Sequence, residues 1–181
     1  MAKFRTMRDN NGLRGLLDLV DHIQKSIPTR EADMVEIGSY TGESTVLFAK
    51  KFKSVLSIDP FVDNYDPNDR TCNFAPFDDV YRRFMDRISE YKNVSHLRET
   101  SDEACKSLAG RKFGVVYIDG MHTYEQVLKD ISNYRPLVLT GGFICGHDFA
   151  SGHPGVQRAV AESLGKPDIV FRDSSWVKML K

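Results

Sequence analysis

The sequence has no excess of charge of either sign. Its 181 residues include 25 Lys and Arg and 25 Asp and Glu, so the formal net charge is zero at pH 7. Proteins that bind nucleic acid through its phosphates usually carry a basic surplus or a basic stripe. We therefore expect no nucleic-acid partner.

Cysteines and long apolar runs are also scarce. The three cysteines, Cys72, Cys105 and Cys145, are 33 and 40 residues apart, which matches neither a zinc site nor a CxxC motif and favours free thiols in a reducing compartment. No stretch approaches the roughly 20 apolar residues that cross a bilayer. The basic N-terminus is not followed by the apolar segment of a secretion signal. These absences predict a cytoplasmic protein without membrane contact.

The length and the alternation of apolar patterns predict one α/β domain over 1–181. A helical pattern over 12–27 is followed by short apolar strands that alternate with amphipathic helices. Such alternation predicts a Rossmann-like, doubly wound sheet of about seven mostly parallel strands, with helices on both faces. The segment 61–77 interrupts the rhythm. It is rich in Asp, Asn and Pro and carries aromatics, which favours a lid-like loop.

Polar residues follow each of the central predicted strands. Ligands of an open α/β sheet bind beyond the carboxyl ends of its parallel strands, so these residues are candidates for one binding site. They are Glu36, Gly38 and Gly42 at the first strand, Asp59 at the second, Thr100 and Ser101 at the third, Asp119, Gly120 and His122 at the fourth, and His147 and Asp148 at the fifth.

The turn after the first strand lacks the two common nucleotide-phosphate motifs. It reads GxxxG from Gly38 to Gly42, with Ser39 and Tyr40 where GxGxxG would need a second close glycine. A GxxxxGK[ST] loop is absent as well. The pattern therefore favours a nucleoside without a pyrophosphate, with Asp59 accepting hydrogen bonds from both ribose hydroxyls.

Four motifs in order resemble the class I S-adenosylmethionine-dependent methyltransferases. They are VEIGSYTG at 35–42, SID at 57–59, YIDGMHTYE at 117–125 and GGFICGHD at 141–148. Within that family the sequence is most similar to the small macrocin-type sugar O-methyltransferases, over roughly residues 33–149. The resemblance implies an antiparallel last strand, S-adenosylmethionine as cofactor, and methylation of a small hydroxylated acceptor, with a sugar as one candidate.

The same resemblance implies a role for each motif residue. Asp59 would hold the ribose, and Asp119 and His122 would face the transferring methyl group. The residues around the methionine portion would be Glu36, Gly38, Ser39, Tyr40 and Gly42, and those near the adenine would be Thr100, Ser101 and Asp102. Metal-dependent relatives bind magnesium at the Asp119 position and at an acidic pair after the fifth strand, which here reads His147-Asp148.

Two routes could deprotonate the acceptor hydroxyl. Mg²⁺ on Asp119, His147 and Asp148 would lower its pKa, or His122 or His147, near neutrality, would take the proton. Because Met121 and His147 depart from the family pattern, a cofactor-binding or scaffold subunit without catalysis is an alternative. A nucleotide-dependent oxidoreductase is a weaker one. A homo-oligomer stays open, and His22, His96 and His153 are interpreted as surface or structural residues.

Overall fold

The structure is a computed structural model that describes Arg8 and residues 10–66 and 75–181. Helices and strands alternate along the chain as the patterns predict. The helices are α1 (Asn10–Gln24), α2 (Glu43–Ala49), α3 (Phe77–Ile88), α4 (Ser101–Ser107), α5 (Tyr124–Tyr134) and α6 (Pro154–Leu164). The strands are β1 (Asp33–Ile37), β2 (Ser54–Ile58), β3 (Val94–Leu97), β4 (Phe113–Ile118), β5 (Val138–Gly146), β6 (Ile169–Val170) and β7 (Trp176–Met179).

The seven strands form one sheet in the order β3-β2-β1-β4-β5-β7-β6. The pairs from β3 to β5 are parallel, and β7 runs antiparallel to both of its neighbours. The Rossmann-like fold, including the antiparallel last strand, is confirmed. The strand order reverses between β1 and β4, and this is the position at which open α/β sheets bind their ligands.

Helices cover both faces of the sheet, so its central strands are buried on both sides. In β1, Val35 packs with residues of α4, α5 and α6, while the adjacent Met34 packs with residues of α1 and α2. All six residues of β4 are buried for the same reason. A third cluster joins Phe61 to the apolar face of α3 at the β3 edge. Within the described residues, no helix is both long and apolar enough to span a membrane.

The predicted end of the first helix is wrong. Helix α1 ends at Gln24 instead of at 27, because Lys25 and Ser26 close tighter turns onto His22 and Ile23 ahead of Pro28. Strand β5 already begins at Val138. It continues through Gly141 and Gly142 with a register shift against β4, because a residue without a side chain lets the two backbones approach closely there.

The segment 61–77 divides into parts with different positions. Phe61 is buried against Tyr81 and Phe84 of α3, so it belongs to the core. Residues 67–74, which include Cys72 and Phe74, lie outside the described residues. The prediction of a lid therefore stays untested for that part.

The turn between β1 and α2 fits tightly against the end of β4. Gly38, Tyr40 and Gly42 have φ values of 82°, 47° and 79°, in the left-handed region where a side chain is unfavourable. A Cβ atom on Gly38 would also clash with the backbone carbonyl of Asp119. The first glycine of the motif is therefore required by the packing of two strand ends.

We predict that Gly38→Ala lowers the free energy of unfolding by at least about 2 kcal/mol, through left-handed strain and the clash with a backbone that cannot move away. Chemical denaturation measures the loss. Gly152→Ala is the matched control, because a Cβ atom there meets nothing within 4 Å. Equal stabilities of the two variants would contradict this account of the turn.

Candidate functional site

A cavity opens at the switch point between β1 and β4. It encloses about 700 Å³, part of which is open solvent. The residues that line it come from the carboxyl ends of β1, β2 and β4, from the described parts of the 61–77 segment, and from α4 and α5. They are Ile37, Gly38, Tyr40, Ile58, Asp59, Pro60, Tyr65, Asp66, Phe77, Ser101, Asp119, Gly120, Met121, His122, Gln126 and Asp130.

Asp59 ties the end of β2 to the β1–α2 turn. Its Oδ2 accepts hydrogen bonds from the backbone N–H groups of Ser39 (3.0 Å) and Tyr40 (2.9 Å), and its Oδ1 accepts one from Phe61 (2.9 Å). Burial raises the pKa of the carboxyl group although these three donors oppose the shift. A carboxylate has about four acceptor positions, so Asp59 retains one for a ligand instead of the two that two ribose hydroxyls would need.

Glu36 lies behind the cavity wall. Its carboxylate is completely buried and accepts hydrogen bonds from the hydroxyls of Ser44 and Thr45 in α2. Burial raises its pKa to about 7, against the effect of the two hydroxyls. Glu36 therefore joins β1 to the first turn of α2, and its side chain is not among those that line the cavity.

Three other predicted cofactor residues also support the wall without lining it. The Ser39 hydroxyl pairs with that of Ser57. Gly42 is the N-cap residue directly before α2. Thr100 caps α4 through a reciprocal pair of hydrogen bonds with Glu103. The roles that the resemblance implies for these residues stay predictions.

Ser101 was predicted to lie at the site, but its hydrogen-bonded neighbours on the cavity wall, Gln126 and Asp130, were not. Asp130 of α5 accepts hydrogen bonds from the Ser101 hydroxyl (2.6 Å) and the Gln126 amide (3.0 Å) through Oδ1. Within the described part of the chain its Oδ2 is buried and has no hydrogen-bond partner, and burial raises the pKa of this carboxyl group to about 6. The sequence feature that could have indicated Asp130 is an aspartate directly before Ile131, a residue of the apolar face of α5.

Ionisable residues after β4 and β5 meet in one cluster, as the sequence predicts. The Nε2 atom of His122 lies 2.9 Å from Oδ2 of Asp148 and 3.8 Å from Oδ1 of Asp119. The Nδ1 atom of His147 lies 3.2 Å from Oδ1 of Asp148. Asp119 and His122 line the cavity, whereas His147 and Asp148 do not.

The carboxylates of this cluster raise the pKa of both histidines. Burial disfavours the imidazolium of His122, but the adjacent carboxylates of Asp119 and Asp148 outweigh it and raise its pKa to about 10. For His147, burial is likewise outweighed, chiefly by the charge of Asp119, and its pKa is raised. For His122, a pKa of about 10 does not match a base near neutrality in the free protein, since two acidic groups lie beside it. For His147 the expectation stays a prediction.

The sequence analysis did not assign three members of the cluster to the site, namely Arg8, His153 and Asp173. The guanidinium of Arg8 forms an ion pair with Asp119, donates to the Tyr117 hydroxyl (3.0 Å) and lies 3.7 Å from Asp173. His153, at the start of α6, places Nε2 at 3.6 Å from Oδ1 of Asp148. No sequence pattern connects Arg8 to Asp119, which lies 111 residues away.

The predicted magnesium ligands do not suit magnesium. Asp119, His147 and Asp148 place ligand atoms within 4.8 Å of one another. However, one oxygen of Asp119 is already paired with the Arg8 guanidinium, and His147 offers nitrogen. Mg²⁺ prefers oxygen ligands in near-ideal octahedral geometry, so the donor set does not fit this ion.

A comparison with protein families matches the part of the chain that contains most of the cavity residues. Residues 35–149, more than half of the chain, match the profile of the family described as "Methyltransferase domain". The chain belongs to this methyltransferase family. The matched range begins in β1 and ends just after Asp148, so it includes the turn, Asp59 and most of the charged cluster.

One curated relative and several solved structures are similar to this methyltransferase. Protein R132 of Acanthamoeba polyphaga mimivirus is 25% identical over 137 residues, or 72% of this chain, and the chain spans 58% of that relative's length. The calicheamicin methyltransferase CalS11 superposes with a TM-score of 0.69 at 15% identity, covering 94% of this chain and 80% of its own. The O-methyltransferase NovP gives 0.68 at 16%, covering 94% and 81%.

A third solved structure contains a ligand. The N-methyltransferase NodS from Bradyrhizobium japonicum, in complex with S-adenosylhomocysteine, gives a TM-score of 0.61 at 15% identity, covering 98% of this chain and 90% of its own. At these identities the three structures show a shared fold. The acceptor atoms in their names differ, so the fold does not identify the acceptor of this chain.

The raised pKa of Glu36 makes a prediction about stability. A buried carboxyl group whose pKa rises on folding stabilises the native state while it is protonated, and this stability is lost as the pH rises from 4.5 to about 7. Wild type should therefore lose about 3 kcal/mol relative to Glu36→Gln over this range. Urea unfolding at both ends of the range measures the difference.

Glu31→Gln serves as the control, because it removes an exposed carboxylate and should follow the wild-type curve. If the free energies of wild type and Glu36→Gln change in parallel with pH, Glu36 does not keep its proton in the native state.

Proposed function

We propose that this methyltransferase uses S-adenosylmethionine and transfers its methyl group to a hydroxyl oxygen of a small acceptor. The observation that carries the proposal is the single cavity that extends from Asp59 to Asp119 and His122. The cavity connects the wall that could bind a nucleoside, which contains Asp59, to the ionisable residues Asp119 and His122. Such a cavity allows a cofactor and an acceptor to meet at the reacting atoms.

The cofactor's orientation follows from the lining residues. Asp59 offers its remaining acceptor position to a ribose hydroxyl. Ser101, Gln126 and Asp130 offer polar atoms to a base, and a protein site that hydrogen-bonds a base distinguishes it from its analogues. The methionine portion would then lie along Gly38 and Gly120, which line the cavity next to Asp119. The S-adenosylhomocysteine bound to NodS, which shares this fold, supports the choice of cofactor.

The acceptor would approach at the Asp119 and His122 end of the cavity. Its oxygen forms a bond to the methyl carbon while the carbon–sulfur bond breaks and its electron pair returns to sulfur. The hydroxyl proton passes to the Asp119 carboxylate, which lines the cavity, because the neighbouring His122 is already protonated in the free protein. Because the sulfonium charge disappears in this step, the protein contributes mainly alignment and the exclusion of water.

Hydroxyl oxygen is favoured by two similar proteins. CalS11 is described as a TDP-rhamnose 3′-O-methyltransferase and NovP as an O-methyltransferase, and the motifs of this chain resemble those of sugar O-methyltransferases. A neutral chain also suits a small molecule better than a nucleic acid. The cytoplasmic location of this protein stays a prediction.

We predict that Asp59→Asn weakens the binding of S-adenosylhomocysteine at least about tenfold, or about 1.4 kcal/mol. The amide removes the charge and places an NH₂ group among donors that need an acceptor. Titration calorimetry measures the affinity, and a melting curve checks that the variant is folded. Asp86→Asn, an exposed aspartate on α3, should bind like wild type. Unchanged affinity in folded Asp59→Asn would remove the ribose assignment.

A second prediction concerns turnover. His122→Gln should lower the rate of S-adenosylhomocysteine formation, measured with a panel of hydroxylated acceptors, by about 100-fold or more. Its affinity for S-adenosylhomocysteine should stay close to that of wild type, because His122 lies at the acceptor end. His22→Gln, on α1, is the control. A rate equal to wild type would show that His122 takes no part in the transfer.

The scaffold alternative has its own outcome in the same experiments. Tight binding of S-adenosylhomocysteine by wild type, with no methyl transfer to any acceptor of the panel, would favour a cofactor-binding subunit without catalysis.

A further inference from the structure

We propose that His122, Asp148 and His153 form a binding site for one divalent transition metal that accepts nitrogen ligands, such as Zn²⁺ or Co²⁺. The site shares only Asp148 with the magnesium set that the family resemblance implies. His153 is the new member, and the sequence analysis interpreted it as a surface residue. Two imidazoles and one carboxylate form a known ligand set for such metals, with coordination positions left open.

The distances between the ligand atoms suit a metal. Each oxygen of Asp148 faces the Nε2 atom of a different histidine, at 2.9 Å for His122 and 3.6 Å for His153. All three ligand atoms lie within 4.8 Å of one another. A tetrahedral zinc site with bonds of about 2.0–2.1 Å separates neighbouring ligand atoms by about 3.3 Å, so three atoms within 4.8 Å of one another need only small side-chain adjustments to bind one ion.

Three separate elements hold these residues together. His122 follows β4, Asp148 follows β5, and His153 precedes α6. The chain between the last two folds back through hydrogen bonds from Ala150 N–H to the Asp148 carbonyl (2.8 Å) and from His153 N–H to the Ala150 carbonyl (2.9 Å). Asp148 itself has a φ of 59°. This return brings His153 to the Asp148 carboxylate.

Gly155 lets the start of α6 approach the loop that contains His122. A Cβ atom on Gly155 would lie 2.9 Å from the backbone nitrogen of Tyr124 and 3.4 Å from the carbonyl oxygen of His122. Only a residue without a side chain permits this contact unchanged. The approach places the rings of His122 and His153 with their centres 5.1 Å apart.

The charge around Asp148 also favours a metal. Within the described residues its carboxylate faces the imidazoles of His122, His147 and His153, and no lysine or arginine pairs with it. The Arg8 guanidinium pairs with Asp119 instead. A divalent cation would displace the proton that His122 carries in the metal-free protein, and its charge would be balanced by the Asp148 carboxylate, which pairs with no lysine or arginine among the described residues.

The site is accessible from two sides. The side chain of His153 is 40% exposed, so a metal can enter from solvent, whereas His122 lines the cavity. An open coordination position would thus face the acceptor end of the proposed active site. A metal there lowers the pKa of a bound hydroxyl and orients it; this consequence, unlike the binding of metal, rests on the proposed function.

The test uses the full chain after treatment with a chelator. Co²⁺ is added while its visible d–d absorption is followed, and calorimetry is run with Zn²⁺ and with Mg²⁺. We expect one equivalent of Co²⁺ or Zn²⁺ to bind, with an absorption typical of nitrogen and oxygen ligands in four- or five-coordination. Mg²⁺ should bind at least about tenfold more weakly, because it prefers oxygen ligands.

Two variants locate the metal. His153→Gln removes a partly exposed ligand and should weaken Co²⁺ binding at least about tenfold while leaving the melting temperature of the metal-free protein close to wild type. His22→Gln removes a histidine that packs on Phe143 and Phe171 away from the site, and should bind Co²⁺ like wild type. Gly155→Ala, which pushes α6 away from His122, should weaken binding in the same direction as His153→Gln.

Three results would overturn the inference: no Co²⁺ or Zn²⁺ binding by wild type, binding that His153→Gln leaves unchanged, or equal affinity for Mg²⁺. Binding of S-adenosylhomocysteine is measured on the same samples. Intact cofactor binding without Co²⁺ absorption would reject the metal site alone. Co²⁺ binding without cofactor binding would reject the proposed function and leave the metal site in place.

Discussion

The organisation of the site depends on one buried carboxylate. Asp59, which follows β2, accepts hydrogen bonds from the backbone N–H groups of Ser39 and Tyr40 in the turn after β1. It accepts a third from the backbone N–H group of Phe61, in the segment that follows β2. A single side chain therefore determines how two strand ends and the start of the 61–77 segment are placed. Unsatisfied N–H groups at such a buried turn would be costly, so the carboxylate stabilises the turn before any ligand binds.

The β1–α2 turn also determines the position of the cluster of ionisable residues after β4 and β5. Because Gly38 has no side chain, the backbone of β1 can lie directly against that of Asp119 and Gly120. This contact brings the end of β4, and with it His122, next to the wall formed by Asp59. The nucleoside wall and the ionisable group thus belong to one cavity because two backbones meet where only glycine fits.

Much of this arrangement could be predicted from the sequence, because it depends on local pattern. The alternation of apolar strands and helices predicted the sheet. The rule that ligands bind at the carboxyl ends of parallel strands predicted that Asp59, Ser101, Asp119 and His122 lie at one edge of it. Residue type was less informative about orientation. Glu36 precedes the glycine turn, yet it points away from the cavity because successive strand residues face opposite sides of the sheet and the hydroxyls of Ser44 and Thr45 take its carboxylate.

The sequence by itself determined the alternation of strands and helices along the chain, the glycine turn and the set of polar residues at the strand ends, since each is encoded within a few neighbouring residues. Only the tertiary structure decided that Arg8 neutralises Asp119, that His153 reaches Asp148, and that Asp130 of α5 lies on the cavity wall. It also decided that His122 carries a proton at neutral pH, since its pKa depends on two carboxylates. The physical reason is the same in each case: charge and hydrogen bonding act through space, between residues that no sequence spacing connects.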